Sequence, residues 1–436
     1  MKKFQIKFTA KNLTGNAGLV HLGKFAEKLQ LPKTLKKVIS IERGHTANYE
    51  VGNVVMMLMM GVLAGIKHIS HLSILRHDSV IRKLFDWNKF PDNRTFGRLF
   101  ELFNHKHCNE LHQAEQIARE KVWSKKWFGR VTLDFDSTVI GVHGSQEGAE
   151  KGFNPKKKGQ KSYHPERRFI AETKECLHSW FRSGSAYTVH YAPEFIKECF
   201  SRLPKRAWKV FVRADSGFFN GALLDVLEAK KSEYLIKVKM KNLAGLLMQQ
   251  KWQKVKGQKG IESTEFSYKC QGWKKERQLV AIRSEIDSTC ETKTLFPIPQ
   301  YDFFCYVTNL KMSPWKIHKC YGKRSTSENW IEWCKNHMAS GTIRTQDFWA
   351  NSALFQTSIL AYNLMVWMMW LNTKTRFHEE PNTIRAWLIS VPAKLISRAR
   401  QLILTLSEDY VFKERWLEIR RLNFRFKFRL KLIQRA

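Results

Sequence analysis

Three acidic residues stand in settings where a carboxylate is costly unless it is paired or bound to a cation. In RVTLDFDSTVIGVHG (residues 130–144), Val131, Leu133 and Phe135 alternate with Thr132, Asp134 and Asp136, so both acids share one face of an otherwise apolar strand. In KVFVRADSGFF (209–219), Asp215 ends a strand just before Ser216-Gly217, where open α/β sheets place their ligands. Glu328 is expected on a helix beginning near Tyr321; at 100° per residue, Tyr321, Arg324, Glu328 and Lys335 fall within about 60° of one another. Carboxylates on adjacent rigid elements could hold a pair of hard divalent cations, the usual means of breaking phosphodiesters without a covalent enzyme intermediate. Each feature also has a plainer reading: a polar strand face, an Asp capping a strand-to-helix turn, and an i,i+4 Arg324–Glu328 surface pair. Alternation alone does not separate Asp136 from Asp134, nor helical geometry Glu328 from Glu332.

Composition points to the partner. Of the 436 residues, 75 are Lys or Arg and 39 are Asp or Glu, a formal charge of +36. Such an excess repels itself and implies a polyanion, for which nucleic acid fits better than an anionic membrane. The 43% hydrophobic content suffices for real cores, and the length suits two or three domains. The eight cysteines (108, 176, 199, 270, 290, 305, 320 and 334) are scattered without any C-x-x-C, as expected of reduced thiols in a cytosolic protein. His105, His107 and Cys108 lie together but lack a partner pair at zinc spacing. No signal peptide is expected, because MKKFQIKFTAKN has a basic start but no apolar core behind it. Val54–Ile66 is too short to cross a membrane, and Ala353–Leu371 carries Gln356, Thr357, Ser358 and Asn363; both are expected to be buried core helices, with no membrane partner.

The elements that must position the acids follow from changes of period. Residues 1–125 read mostly helical, through Leu29–Ile39, Tyr49–Ile66, Ile69–Leu75 and Thr95–Phe103. Asp92 or Asn93 would cap the last, which presents Arg94 and Arg98 one turn apart, as in a DNA-reading helix or an ordinary solvated one. Short strands are expected at Ser179–Arg182 and Ala186–Tyr191. A β-α-β unit is expected over Lys209–Ala214, Gly221–Ala229 and Tyr234–Met240. Further strands are expected at Phe266–Lys269, Leu279–Arg283 and Tyr301–Thr308. The basic stretch NPKKKGQKSYHPERR (154–168), with Lys156, Lys157, Lys158, Lys161, Arg167 and Arg168, suits a DNA-tracking loop or a solvated one. Trp252 and Trp273 could stack on a base or pack in a core. Phe424–Leu432 alternates apolar and basic residues, predicting a strand with one cationic face.

At this point a resemblance becomes specific. YGKRSTSENWIEWCK (321–335) matches the Y-x2-R-x3-E-x6-K signature of DDE transposases of bacterial insertion sequences. LDFDSTVIGVHG resembles the first-acid motif of the branch with D-x-D-S-T, and VRADSGF the second-acid motif. FWAN (348–351) and AYNL (361–364) resemble the segment after the acid helix. The similarity covers roughly residues 125–375 and is only general before that.

The resemblance implies an α/β fold: an RNase H-like catalytic core, a mixed sheet flanked by helices, with a β-rich insertion and a helical N-terminal DNA-binding domain. The expected division is 1–125 helical DNA-binding domain, 126–240 first part of the core, 241–300 insertion, 301–375 second part with the acid helix, and 376–436 basic C-terminal region. It also implies that Asp136, Asp215 and Glu328, rather than Asp134 and Glu332, hold two Mg²⁺ or Mn²⁺ ions. Tyr321, Arg324 and Lys335 would contact DNA phosphates, with Lys156, Lys157, Lys158, Lys161, Arg94 and Arg98 as further DNA contacts. The implied activity is cleavage and strand transfer at terminal inverted repeats by a homodimer on DNA, in the bacterial cytoplasm with the nucleoid. A non-catalytic basic DNA-binding protein or an inactive relative is the alternative; the first leaves the embedded acids unexplained.

Overall fold

The alternation in residues 130–137 becomes a central strand. The computed structural model describes residues 2–44, 47–126, 128–152, 154, 157–186, 192–204, 207–285, 301–372 and 379–425. The chain divides into two compact units, one of residues 127–138 and 164–330, the other of 1–126, 139–163 and 331–436.

The first unit is built on nine strands: β1 (Arg130–Ser137), β2 (Glu166–Ile170), β3 (Cys176–Trp180), β4 (Lys209–Ala214), β5 (Glu233–Lys237), β6 (Gln253–Lys254), β7 (Ile261–Tyr268), β8 (Arg277–Glu285) and β9 (Tyr301–Thr308). They form one sheet in the order β6-β7-β8-β9-β5-β4-β1-β2-β3. The pairs β1–β4 and β4–β5 are parallel, while β1–β2, β2–β3 and β5–β9 are antiparallel. The sheet is therefore mixed, with its parallel strands at the centre, where both faces are covered and a strand becomes continuously buried. Accordingly Val131 to Phe135 are all buried. The strands from residues 241–300 pair onward from β9 and extend this same sheet.

Contacts show the two faces of β1. Phe135 packs edge-on against Phe218 at 5.6 Å, and the Arg168 guanidinium lies over Phe135 at 3.9 Å and over Phe195 of α1 (Ala192–Arg202) at 4.6 Å. α2 (Gly221–Ala229) starts where Asn220 accepts hydrogen bonds from the Ala222 and Leu223 amides, at 2.7 and 3.3 Å. On the other face, α3 (Pro314–Gly322) packs its Ile317 with Phe211, Leu235, Val280 and Tyr306.

In the second unit three of the four expected helices form, as Leu31–Val38, Val51–Leu63 and Asn93–Phe100, while Ile69–Leu75 is a 3₁₀ turn, Ile69–Leu72, running into a short helix, Ser73–His77. Asp92 caps Asn93–Phe100 by accepting from the Thr95 amide at 2.7 Å. His105–Trp123 is a further helix with a capping box between Asn104 and His107. Its Cys108 is buried, which pushes the thiol up to about 12, so His107 caps and Cys108 packs. Phe348–Asn372 is long and apolar enough to cross a membrane, but 94% of its most apolar window is buried within the protein. Two of its hydroxyls are satisfied along the helix, Thr357 donating to the Ala353 carbonyl at 2.7 Å and Ser358 to that of Leu354 at 2.9 Å.

Three expectations need correction. The supposed loop at 161–168 contains the strands Lys161–Tyr163 and β2, and Arg167 and Arg168 are fully buried. Arg168 cannot track a DNA backbone, because it is ion-paired to the equally buried Glu166, which also pairs with Arg182 at 2.9 Å. Phe424 and Arg425 end a helix, Lys413–Arg425, rather than begin a strand; the rest of the alternating stretch lies outside the described residues. The strand expected at Ser179–Arg182 runs instead over Cys176–Trp180, and the one at Ala186–Tyr191 falls almost wholly outside the described residues. In its place the C-terminal region contributes an unforeseen hairpin, Ala393–Arg398 and Gln401–Leu406.

Candidate active site

Register across β1 and β4 decides which acids meet. Asp134 pairs with Arg213 and Phe135 with Ala214 in the parallel ladder, so Asp136 and Asp215 follow side by side at the C-terminal ends of the two central strands. Asp134 is completely buried and accepts two hydrogen bonds from the Arg213 guanidinium, at 2.6 and 2.7 Å. Burial pushes its carboxyl up to about 6, with Arg213 opposing the shift. The remaining Arg213 nitrogen donates to the Cys320 carbonyl in α3 at 3.0 Å. One of the two acids left open by alternation is thus fully engaged inside the sheet.

Asp136 is differently placed. One of its oxygens accepts from the Ser137 amide at 2.9 Å, and the other lies 3.4 Å from Arg324. Burial pushes this carboxyl up to about 6; Arg324 opposes the shift, and the negative charges of Asp215 and Glu328 add to it. Asp215 accepts from the Gly217 amide at 2.9 Å as the turn after β4 begins. A Cβ on Gly217 would sit 3.1 Å from that same Asp215 oxygen, which is why the smallest residue suits this turn.

The third acid comes from the segment after α3. That helix begins at Pro314, earlier than expected; a 3₁₀ turn at Lys323–Ser325 follows, then α4 (Thr326–Glu332) and a π-helical turn at Trp333–His337. The segment is not one uninterrupted α-helix, so the phase at 100° per residue does not carry through it. Arg324 and Glu328 still meet, at 3.3 Å, so one guanidinium bridges Asp136 on β1 and Glu328 on α4. The Arg324 carbon at the head of the fork stands 5.7 Å from the Tyr321 ring, and that ring packs on Tyr306 at 4.7 Å. Burial raises the Tyr321 phenol above its ordinary range. Glu332 is exposed and accepts from Asn336 at 3.3 Å. Lys335 belongs to the other unit, where it donates to the Val139 carbonyl at 2.9 Å.

The donor set suits a hard divalent cation: oxygen only, with one desolvated carboxylate that other negative charges already push toward protonation. Among the described residues, no three acidic, His or Cys side chains already converge at ion-binding distance. Arg324 supplies the positive charge between Asp136 and Glu328.

The other expected DNA contacts lie in the second unit. Arg94 and Arg98 are exposed on Asn93–Phe100, and Lys157, Lys158 and Lys161 are exposed, while Lys156 lies outside the described residues. Trp273 is buried with Arg277 over its ring at 4.9 Å, and Trp252 packs near Phe303 at 5.8 Å, so both indoles have packing roles. Sequence reasoning missed Arg213. Its signal was available, since D-x-D and R-x-D on two adjacent parallel strands put an acid opposite a base one same-face step before each candidate ligand.

A mixed sheet ordered β3-β2-β1-β4-β5 at its heart, flanked by helices and joined to an N-terminal helical region, is an RNase H-like core with a helical extension. The chain belongs to the family described as transposase DDE domain, group 1, whose model matches residues 1–423. Among solved structures it is similar to a piggyBac transposase synaptic complex with hairpin DNA. That likeness is 12% identical, covers 85% of this chain and 79% of that one, and has a TM-score of 0.44. No match is found among curated proteins.

Proposed function

We propose that this protein is the transposase of an insertion sequence, binding the element's terminal inverted repeats and catalysing strand cleavage and strand transfer. Asp136, Asp215 and Glu328 are the acids that carry the chemistry. The observation that supports this best is their placement: two follow side by side on adjacent parallel strands, and Arg324 links the first to Glu328 on the following helix. Two Mg²⁺ or Mn²⁺ ions held by these carboxylates would lower the pKa of an attacking water and stabilise the leaving oxygen.

The chain's own residues do the rest. Arg324, whose fork can grip a phosphate through two parallel hydrogen bonds, orients the scissile group. Tyr321 limits where that fork can go, and Lys335 and the exposed Arg94, Arg98, Lys157, Lys158 and Lys161 hold the duplex, together with Lys156. Water attacks phosphorus in line, one P–O bond forms as another breaks, and the departing 3′-oxygen takes a proton. The freed 3′-hydroxyl then attacks a second phosphodiester, losing its proton as that bond's leaving oxygen departs, so this transfer exchanges one phosphodiester for another, whereas the first hydrolysis consumes one. Joining two element ends calls for two subunits on DNA.

Asp136→Asn, Asp215→Asn and Glu328→Gln should each abolish metal-dependent cleavage of an end-containing duplex while binding persists, whereas Glu332→Gln should cleave normally. An active Asp136→Asn protein would refute the assignment.

A further inference from the structure

One buried side chain ties together β1, which bears Asp136, β4, which leads into Asp215, and α3, which precedes the segment bearing Glu328. Arg213 uses Nε and Nη2 on Asp134 of β1, lies itself on β4, and uses Nη1 on the Cys320 carbonyl of α3. Asp134 stands two residues before Asp136, Arg213 two before Asp215, and Cys320 eight before Glu328. We propose that the Asp134–Arg213 pair is a positioning clamp that sets β1, β4 and the end of α3 in register, so that Asp136, Asp215 and Glu328 can share divalent cations. This rests on reading those three acids as the metal site.

The physical case has three parts. Two residues along a strand are about 7 Å, so the clamp lies one same-face step inside the candidate ligands. A strand slip of one residue would displace Asp136 by about 3.3 Å and turn it to the opposite face, and the bidentate cross-strand pair opposes that slip. Cys320 is in the last turn of α3, where carbonyls lack helical partners, so Arg213 also fixes where that helix ends. The 3₁₀ turn bearing Arg324 follows directly, and its aim depends on that end.

Stability does not explain the arrangement. A buried ion pair is often no more stabilising than apolar side chains of similar volume. The side chains here are only 0% and 5% exposed, and the guanidinium reaches two other elements, β1 and α3, from its own strand rather than a single partner.

The test separates position from stability in the full chain. The double variant Asp134→Leu/Arg213→Leu removes both charges together and leaves neither buried alone. Terbium luminescence reads ion binding without DNA, thermal unfolding reads the fold, and the Mn²⁺ dependence of cleavage reads the site at work. The double variant is expected to unfold at or near the wild-type temperature yet bind terbium at least about 10-fold more weakly, the lower end of the effect of losing a metal ligand's direct partner, because the clamp acts through the elements that carry the ligands rather than by touching them. Arg213→Lys should fall between the two, because a compact ammonium on a flexible stem cannot reproduce the rigid fork that places separate nitrogens on both Asp134 oxygens and the Cys320 carbonyl. A folded double variant with wild-type terbium affinity and Mn²⁺ dependence overturns the clamp. If instead the wild-type protein binds no terbium that Asp136→Asn removes, the metal-site reading itself fails, and the clamp with it.

Discussion

Arg324 offers a sharp test because its two proposed effects have opposite signs. In the structure its fork lies 3.4 Å from Asp136 and 3.3 Å from Glu328, longer than good charge-assisted hydrogen bonds. The Glu328 side chain is 62% exposed, so that arm contributes well under about 1 kcal/mol. The Asp136 arm is largely buried; at an effective dielectric of about 20, a separation of 3.4 Å corresponds to about 5 kcal/mol of gross attraction, much of it offset by desolvation. Arg324→Ala deletes a cation that competes with any metal for Asp136. If about 1.4 kcal/mol of that attraction survives as net competition, terbium binding should tighten about tenfold in the variant. Cleavage should move the other way and fall about 10²-fold or more, since orientation of the scissile phosphate is lost. Arg324→Lys should recover only part of the rate. Single-turnover cleavage of a pre-nicked element end, with terbium titration alongside, reads both quantities. An alanine variant that cleaves within about threefold of wild type would reduce Arg324 to a salt-bridge partner. One that binds terbium more weakly would show that Arg324 supports the carboxylates rather than competing for them.

Two further outcomes follow from charge. Binding to random duplex should weaken by at least about 10³-fold between 50 and 200 mM salt, as expected for about six or more phosphate contacts by a chain of charge +36; a change below about tenfold would contradict the DNA reading. Glu228 should make stability acid-sensitive: burial alone would raise its carboxyl, but hydrogen bonds from Arg277, Tyr234 and Lys275 outweigh that and hold it down at about 2. Its folded value lies below the unfolded one, so its contribution is complete above about pH 4.5 and fades as pH falls toward 2. The gap in unfolding temperature between wild type and Glu228→Gln should therefore be constant from pH 6 to 8 and shrink below about pH 4.5. A gap unchanged down to about pH 3 would contradict the assignment of that network.

Local pattern was enough wherever neighbours in sequence set the structure. Lys209–Ala214, Gly221–Ala229 and Tyr301–Thr308 form with the expected bounds, because apolar periodicity and the Asn220 cap are properties of the segments themselves. The alternation of β1 likewise placed Phe135 on one face and Asp134 with Asp136 on the other, as the packing on Phe218 and the pairing with Arg213 bear out. What the residues could not do alone was tell two acids on one face apart. That distinction arises from a partner 79 residues away, Arg213, which engages Asp134 and leaves Asp136 beside Arg324.

Charge misled in the same way at β2. Glu166, Arg167 and Arg168 look solvent-facing by composition, yet Glu166 and Arg168 neutralise each other inside the sheet, and aromatic rings from β1 and α1 cover the guanidinium. Sequence thus determined those strands, helices and caps whose energetics are local, such as Lys209–Ala214 and the Asn220-capped helix, and the kinds of residue available for chemistry. Tertiary structure alone decided which charges are consumed in buried pairs and which remain available, because the cost of burying a charge depends on partners that only the fold brings within reach.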